Sequence, residues 1–330
     1  MSNWWIYKGE GNQHQGIATL PPPPEWRAFD PAGYRPPRPN HELAWSSSDE
    51  VRGKSYRADP DALNPVNAAM YLRRPLLVTG TPGVGKSTLA YSIAWELGLG
   101  PVLRWPITSS SALRDGLYRY DAIGRLQDVH LEAATPREPI SRYLRLGPLG
   151  TAFQPVDTPR VLLIDEIDKA SLDLPNDLLN VFEEGRYEVD ELVRIAEAEP
   201  RHLIRGADGT DIQVTVGEVR CKQFPIVIMT SNGEREFPPA FLRRCVRLNI
   251  DPPQETQLKR MIDAQMGREM RQRAGNVISR YQERIREEGG VLASDQLLNA
   301  IHLTCRMDLG PDDQVELMEL LFQSLDAELA

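Results

Sequence analysis

Apolar positions along the chain fall into two regimes. Between about Asp61 and Ile250, apolar runs of strand length alternate with stretches of helical spacing. Leu76-Leu77-Val78, Val102–Trp105, Val161–Ile164, Ile226–Thr230 and Val246–Ile250 are short, mostly apolar runs predicted as strands. Ala62–Leu72 and Thr88–Leu97 carry helical spacing, the second closed by Gly98 as a C-cap. Strands alternating with helices predict a parallel sheet covered on both faces. Beyond Asp251-Pro252-Pro253 only helical periodicity remains. The last helix is predicted to open at Pro311-Asp312-Asp313, where proline and acids suit a first turn. It is expected to align Val315, Met318, Phe322, Leu325 and Leu329 on one face. No internal repeat is visible. The expected units are an arm over 1–45, an α/β core over 46–250 and a helical domain over 251–330.

The arm departs from both regimes. Pro21–Pro24 and Pro36, Pro37 and Pro39 favour extended geometry and cannot donate backbone hydrogen bonds. Yet four of the six tryptophans lie here, Trp4, Trp5, Trp26 and Trp45, with Tyr7, Phe29 and Tyr34. Flexible linkers are poor in aromatics, so the arm is expected either to strap across its own domain or to dock on a neighbour.

Composition narrows the class. The 330 residues carry 38 Lys and Arg against 47 Asp and Glu, a formal charge of −9. That balance argues against unspecific nucleic-acid binding, which needs surplus cations facing phosphates. The charge is uneven: residues 289–330 hold one cation and eight acids. Mean hydropathy is −0.41 and no apolar run reaches the length of a membrane span. Cys221, Cys245 and Cys305 are far apart, with no CxxC spacing, so neither a disulfide framework nor a zinc knuckle is expected. Met1–Lys8 lacks a signal-peptide pattern, and the expected location is cytoplasmic.

The chemistry is concentrated at three strand ends. Gly80, Thr81, Pro82, Gly83, Val84, Gly85, Lys86 and Ser87 fit GxxxxGK[ST], preceded by a strand and followed by a helix that begins near Thr88. Glycines let successive N–H groups curl around phosphates, and the helix N-terminus adds a favourable dipole. Lys86 is placed for the β/γ-phosphates and the Ser87 hydroxyl for Mg²⁺. Val161–Ile164 ends in Asp165 and Glu166. Beside a phosphate loop, Asp165 is expected to complete the Mg²⁺ shell and Glu166 to polarise an attacking water. A strand merely ending in solvated acids is the plainer alternative. Ile226–Thr230 ends in Ser231-Asn232, and in a parallel sheet that tip shares the ligand-binding carboxyl edge. Asn232 is expected to orient the water. Arg243 and Arg244 follow twelve residues on, with no obvious neutralising acid near in sequence. They read either as a finger inserted into a neighbour's site, Arg244 ahead of Arg243, or as an exposed helix end.

These elements, in this order over about 46–330, resemble the AAA+ ATPases, and within them the MoxR-like branch associated with von Willebrand factor A domain proteins. Gly80–Ser87 resembles Walker A, Asp165-Glu166 Walker B, Asn232 sensor 1 and Arg244 the arginine finger. About 108–128 resembles the helix-2 insert, and about 200–222, with its Gly206–Gly209 turn, the hairpin before sensor 1. The resemblance implies a P-loop αβα sandwich with a parallel sheet, followed by a small all-α lid. It further implies ATP and Mg²⁺ as ligands, a homo-oligomeric, hexameric ring with the finger acting in trans, and a protein substrate. There is one departure: Leu292–Gln296, where a sensor 2 cation is expected, has none, and Arg306 lies about three turns further on.

The leading expectation is therefore an ATP-hydrolysing ring subunit that remodels a protein partner. A slow-hydrolysing regulatory switch is the alternative. A DNA-acting motor ranks below both, because the cations of 251–288 are interleaved with acids.

Overall fold

The computed structural model describes residues 4–30, 32–39, 43–131, 139–253, 255–288, 294–307 and 311–322. The described strands, in chain order, are β1 (Leu76–Thr79), β2 (Leu103–Pro106), β3 (Tyr118–Tyr120), β4 (Leu144–Leu146), β5 (Val161–Asp165) and β6 (Arg186–Glu188). They continue with β7 (Arg201–Arg205), β8 (Asp211–Thr215), β9 (Glu218–Arg220), β10 (Ile226–Ser231) and β11 (Val246–Asn249).

Five of them form a parallel sheet in the order β11-β1-β10-β5-β2. All five strands predicted from apolar runs are here. Their alternate residues face opposite ways: Leu77, Leu162, Ile164, Val227 and Met229 enter one core, whereas Leu76, Val78, Leu163, Ile228 and Leu248 enter the other. Helices therefore have to cover both faces, which is why the central strands β1, β10 and β5 read as continuous apolar runs, whereas the edge strands β2 and β11 alternate. The helices Pro60–Leu72 and Lys86–Glu96 contribute Val66, Met70, Leu89 and Ile93 to one face, and Leu174–Glu184 contributes Leu178 and Phe182 to the other.

The N-terminal segment straps across the same domain. Ile6, Tyr7, Ile17 and Leu20 are buried beside Leu89 and Ile93, and Phe29 stacks on Phe224 at 5.2 Å. The tryptophans do less than their number promised. Trp26 is 76% exposed, Trp4 meets Tyr71 edge-on at 5.6 Å, and Trp5 and Trp45 pack at the core's margin. Polar groups fix the strap's path instead. Glu96 accepts the backbone N–H groups of Lys8, Gly9, Glu10 and Gly11 at 2.6–3.1 Å. Asn67 accepts from Ile6 and Tyr7 and donates to the Tyr7 carbonyl.

A second, six-stranded sheet runs β3-β4-β7-β8-β9-β6. It joins the two stretches singled out in the sequence, since β3 lies in 108–128 and β7–β9 in 200–222. Sequence pattern foresaw the hairpin there but not the sheet. Beyond Asp251, the helices Glu255–Met266, Arg268–Arg273, Gly275–Glu288, Ser294–Arg306 and Pro311–Leu321 enclose their own core of Leu258, Ile262, Tyr281, Leu297, Ile301 and Phe322. The last helix corrects one expectation: Met318 and Phe322 face this core, but Val315 is 46% exposed. Leu325, Leu329, Leu292 and the Arg306 side chain lie outside the described residues. Among the described residues no helix is long and apolar enough to cross a membrane. The three cysteines are buried and unpaired.

Candidate active site

β1 runs into Gly80, whose φ of +147° and close approach to the Ile250 carbonyl leave no room for a side chain: a Cβ there would sit 2.3 Å from that oxygen. Thr81 and Pro82 follow, and Gly83 and Gly85 are again at positive φ. The helix then opens at Lys86, two residues before the predicted Thr88, so its first N–H groups face the loop. Lys86 Nζ donates to the carbonyls of Gly80 and Thr81 at 2.7 and 2.9 Å. Burial lowers the pKa of this ammonium, against the pull of Asp168, Asp165 and Glu166. The Thr81 hydroxyl is buried without a partner among the described residues. A cavity of about 370 Å³ adjoins the loop, lined by Gly83, Val84, Gly85 and Thr88, by Tyr56 and Asp59, and by Gln257 and Met261 of the first C-terminal helix.

The acids lie at the same edge. Ser87 Oγ and Thr230 Oγ1 both donate to Asp165 Oδ1, at 2.6 and 2.8 Å. On Oδ2, Asp165 accepts from Arg104 Nε and Nη2 at 3.1 and 2.7 Å. Burial by itself would raise the Asp165 pKa, but hydrogen bonds from Ser87, Thr230 and Arg104 outweigh it and hold the carboxyl below its ordinary value. Glu166 adopts left-handed backbone geometry, φ 61° and ψ 51°, which costs a non-glycine residue about 1 kcal/mol. Its N–H donates to Thr230 Oγ1 at 2.9 Å, and its carboxylate pairs with Lys169 at 2.8 Å. One hydroxyl, that of Thr230, thus ties the two acids to β10. Asp168 Oδ2 accepts the N–H groups of Asn232 and Glu234 at 2.8 and 3.2 Å, which pins the loop after β10.

Arg243 and Arg244 are elsewhere. The register Leu76↔Val246 and Thr79↔Asn249 puts them just before β11, at the amino edge of the sheet and a strand's length from the phosphate loop. The reading that nothing neutralises them is corrected for Arg244: its Nε donates to Glu183 Oε1 at 3.0 Å. Glu183 comes from the helix Leu174–Glu184, some sixty residues earlier, so sequence proximity hid it. Arg27 of the strap occupies the other oxygen of Glu183 at 3.3 Å. Arg243 is exposed and forms no ion pair among the described residues.

The structure therefore brings together Gly80–Thr88, Asp165, Glu166 and Asn232, and leaves Arg243 and Arg244 apart. Sequence reasoning passed over Arg104, Thr230, Asp168 and Lys169. Their signals were slight: a lone cation inside the strand-length run Val102–Trp105, a hydroxyl at the end of a buried strand, and two charges in the turn after Glu166. A divalent cation fits the donors present, since the Ser87 hydroxyl and the Asp165 carboxylate are hard oxygens converging beside the loop. The unpartnered Thr81 hydroxyl is an additional donor on the loop itself.

A parallel sheet with helices on both faces, a glycine-rich loop feeding a helix N-terminus and paired acids at the end of β5, one strand removed across β10, together define a P-loop nucleotide-binding domain. The chain belongs to the AAA family: residues 75–245, just over half of its 330, match the AAA domain of the dynein-related subfamily. Nucleotide binding and ATP-driven activity are the general properties that membership carries. No curated protein matches the chain significantly.

Proposed function

We propose that this chain is an ATP-hydrolysing ring subunit of the MoxR-like kind, which uses the cycle to remodel a protein partner. One observation carries the reading: the phosphate loop and acids occupy the carboxyl edge of the sheet, while Arg244 stands at the amino edge. An arginine so placed serves another subunit's site rather than its own, which calls for a ring with heterologous contacts.

In this reading the N–H groups of Gly80–Thr88 hold the triphosphate. Lys86 leaves the carbonyls of Gly80 and Thr81 for the phosphate oxygens. Ser87 and Asp165 would hold Mg²⁺, which when bound neutralises charge on the β- and γ-oxygens. Glu166 takes the proton of the attacking water, and the Asn232 amide, free of hydrogen bonds among the described residues, orients it. Arg244 from the neighbour stabilises the charge that develops. The partner is a protein, with von Willebrand factor A domain proteins as the first to test on the strength of the resemblance. Such a partner would meet the insert and hairpin, now seen to share one sheet.

Glu166→Gln tests the core of this. The variant is expected to bind ATP with near wild-type affinity and to lose at least about 100-fold in turnover. Undiminished hydrolysis overturns the assigned base. A slow regulatory switch is the second reading, favoured by the Glu166–Lys169 pair, which must open before the carboxylate can act. Turnover per subunit that rises with protein concentration, and with partner, supports the ring motor; flat, slow turnover supports the switch.

A further inference from the structure

Asp165 has two kinds of partner on its two oxygens. Oδ1 is held by hydroxyls of Ser87 and Thr230, one on the helix Lys86–Glu96 and one on β10. Oδ2 is held by a guanidinium alone, through Arg104 Nε and Nη2. Arg104 lies on β2, the edge strand next to β5, where Leu103 and Trp105 turn inward and Arg104 turns out. Its side chain is 52% exposed, whereas that of Asp165 is 8% exposed. The Arg104 side chain has no other hydrogen bond or ion pair among the described residues. The guanidinium is therefore the charged and solvent-facing part of the Asp165 shell. It can swing into solvent at the loss of a single ion pair, with nothing in the core disturbed.

A divalent cation beside Ser87 and Asp165 needs what Arg104 takes up. The guanidinium neutralises the carboxylate and directs two N–H groups at the oxygen that the hydroxyls leave open. We propose that Arg104 is a built-in competitor for the metal. It holds Asp165 charge-balanced in the metal-free site and is displaced when metal and nucleotide enter together. This rests on the reading of the edge as an ATP site. It is the opposite of a permanent positioning role, in which Arg104 would aim Asp165 at the metal and its loss would weaken metal binding.

The two roles separate by the sign of one measurement. Mn²⁺ affinity of the ADP-bound full chain is read by electron paramagnetic resonance for wild type, Arg104→Gln, Arg104→Lys and Asp165→Asn, with thermal melts confirming that each is folded. Arg104→Gln is expected to bind Mn²⁺ about two- to fivefold more tightly, the scale of a half-exposed ion pair. Arg104→Lys, which keeps the charge but not the two-pronged contact, is expected between the two. Unchanged or weaker Mn²⁺ binding by Arg104→Gln overturns the proposal and leaves the ATP site standing. If Asp165→Asn binds Mn²⁺ as tightly as wild type, or if wild type binds no ADP, the reading of the site itself fails, and the role of Arg104 with it.

Discussion

Asp168 is 3% exposed, yet among the described residues one of its oxygens is used: Oδ2 takes the N–H groups of Asn232 and Glu234, while Oδ1 is buried without a partner there. A buried carboxylate of this kind is tolerated where it fixes something else. What it fixes is the loop whose first residue is the proposed water-orienting Asn232. Asp168→Ala is expected to lower kcat about 10- to 100-fold with KM for ATP changed less than about threefold, because water alignment rather than nucleotide contact is lost. Asp168→Asn, whose amide oxygen can replace Oδ2 as acceptor, should retain most of the rate. A fall in Asn as deep as in Ala argues against the positioning role and points to the charge. Steady-state kinetics on the two variants decide between them.

At the level of elements, the strap and the phosphate-loop helix are one unit. Glu96 closes the helix Lys86–Glu96, and its carboxylate gathers four strap N–H groups together with His14 Nε2 at 3.2 Å. Burial would raise its pKa, but bonds from His14 and from the N–H groups of Lys8 and Gly11 outweigh it, and the net direction is down. A carboxyl whose folded pKa is lowered stabilises the fold above its ordinary value, near pH 4, and loses that contribution as pH falls through the folded value. Glu96→Gln is expected to be less stable by about 2–4 kcal/mol at pH 7, as one neutral oxygen serves poorly where two charged ones stood. Its melting temperature should approach that of wild type as pH drops towards 3. A gap that stays constant over that range removes the carboxylate from the explanation. None of this was legible in advance, because a glutamate at a helix end reads as a solvated acid until the segment 85 residues earlier is folded onto it. The core strands were legible for the opposite reason. Burial on both faces forces an unbroken apolar run, and Val161–Ile164 shows one. β3, β4, β6 and β9 have three residues each, too short for any period to declare itself.

Across the whole molecule, every charge proposed for hydrolysis already has a partner within the chain. Asp165 holds Arg104, Glu166 holds Lys169, Lys86 sits on loop carbonyls and Arg244 holds Glu183. The phosphate loop and Asp165-Glu166 were readable because a local spacing carries their chemistry. These pairings were not, since Arg104 and Asp165 are 61 residues apart and Glu183 and Arg244 are also 61 apart. In the proposed ring, nucleotide entry and subunit contact are exchanges of one partner for another, so a single subunit is expected to turn over poorly alone. Mixing tests this directly. Arg244→Ala keeps its own acids but donates no arginine, whereas Glu166→Gln lacks the base but still donates Arg244. Each alone should be nearly inactive. Combined in equal amounts and allowed to exchange, half of the Arg244→Ala sites acquire an arginine-bearing neighbour, and activity should return to about a quarter of wild type. A mixture no more active than the sum of its parts rules out a finger acting between subunits. Arg244 would then be the plain surface partner of Glu183, an exposed pair of little energetic weight.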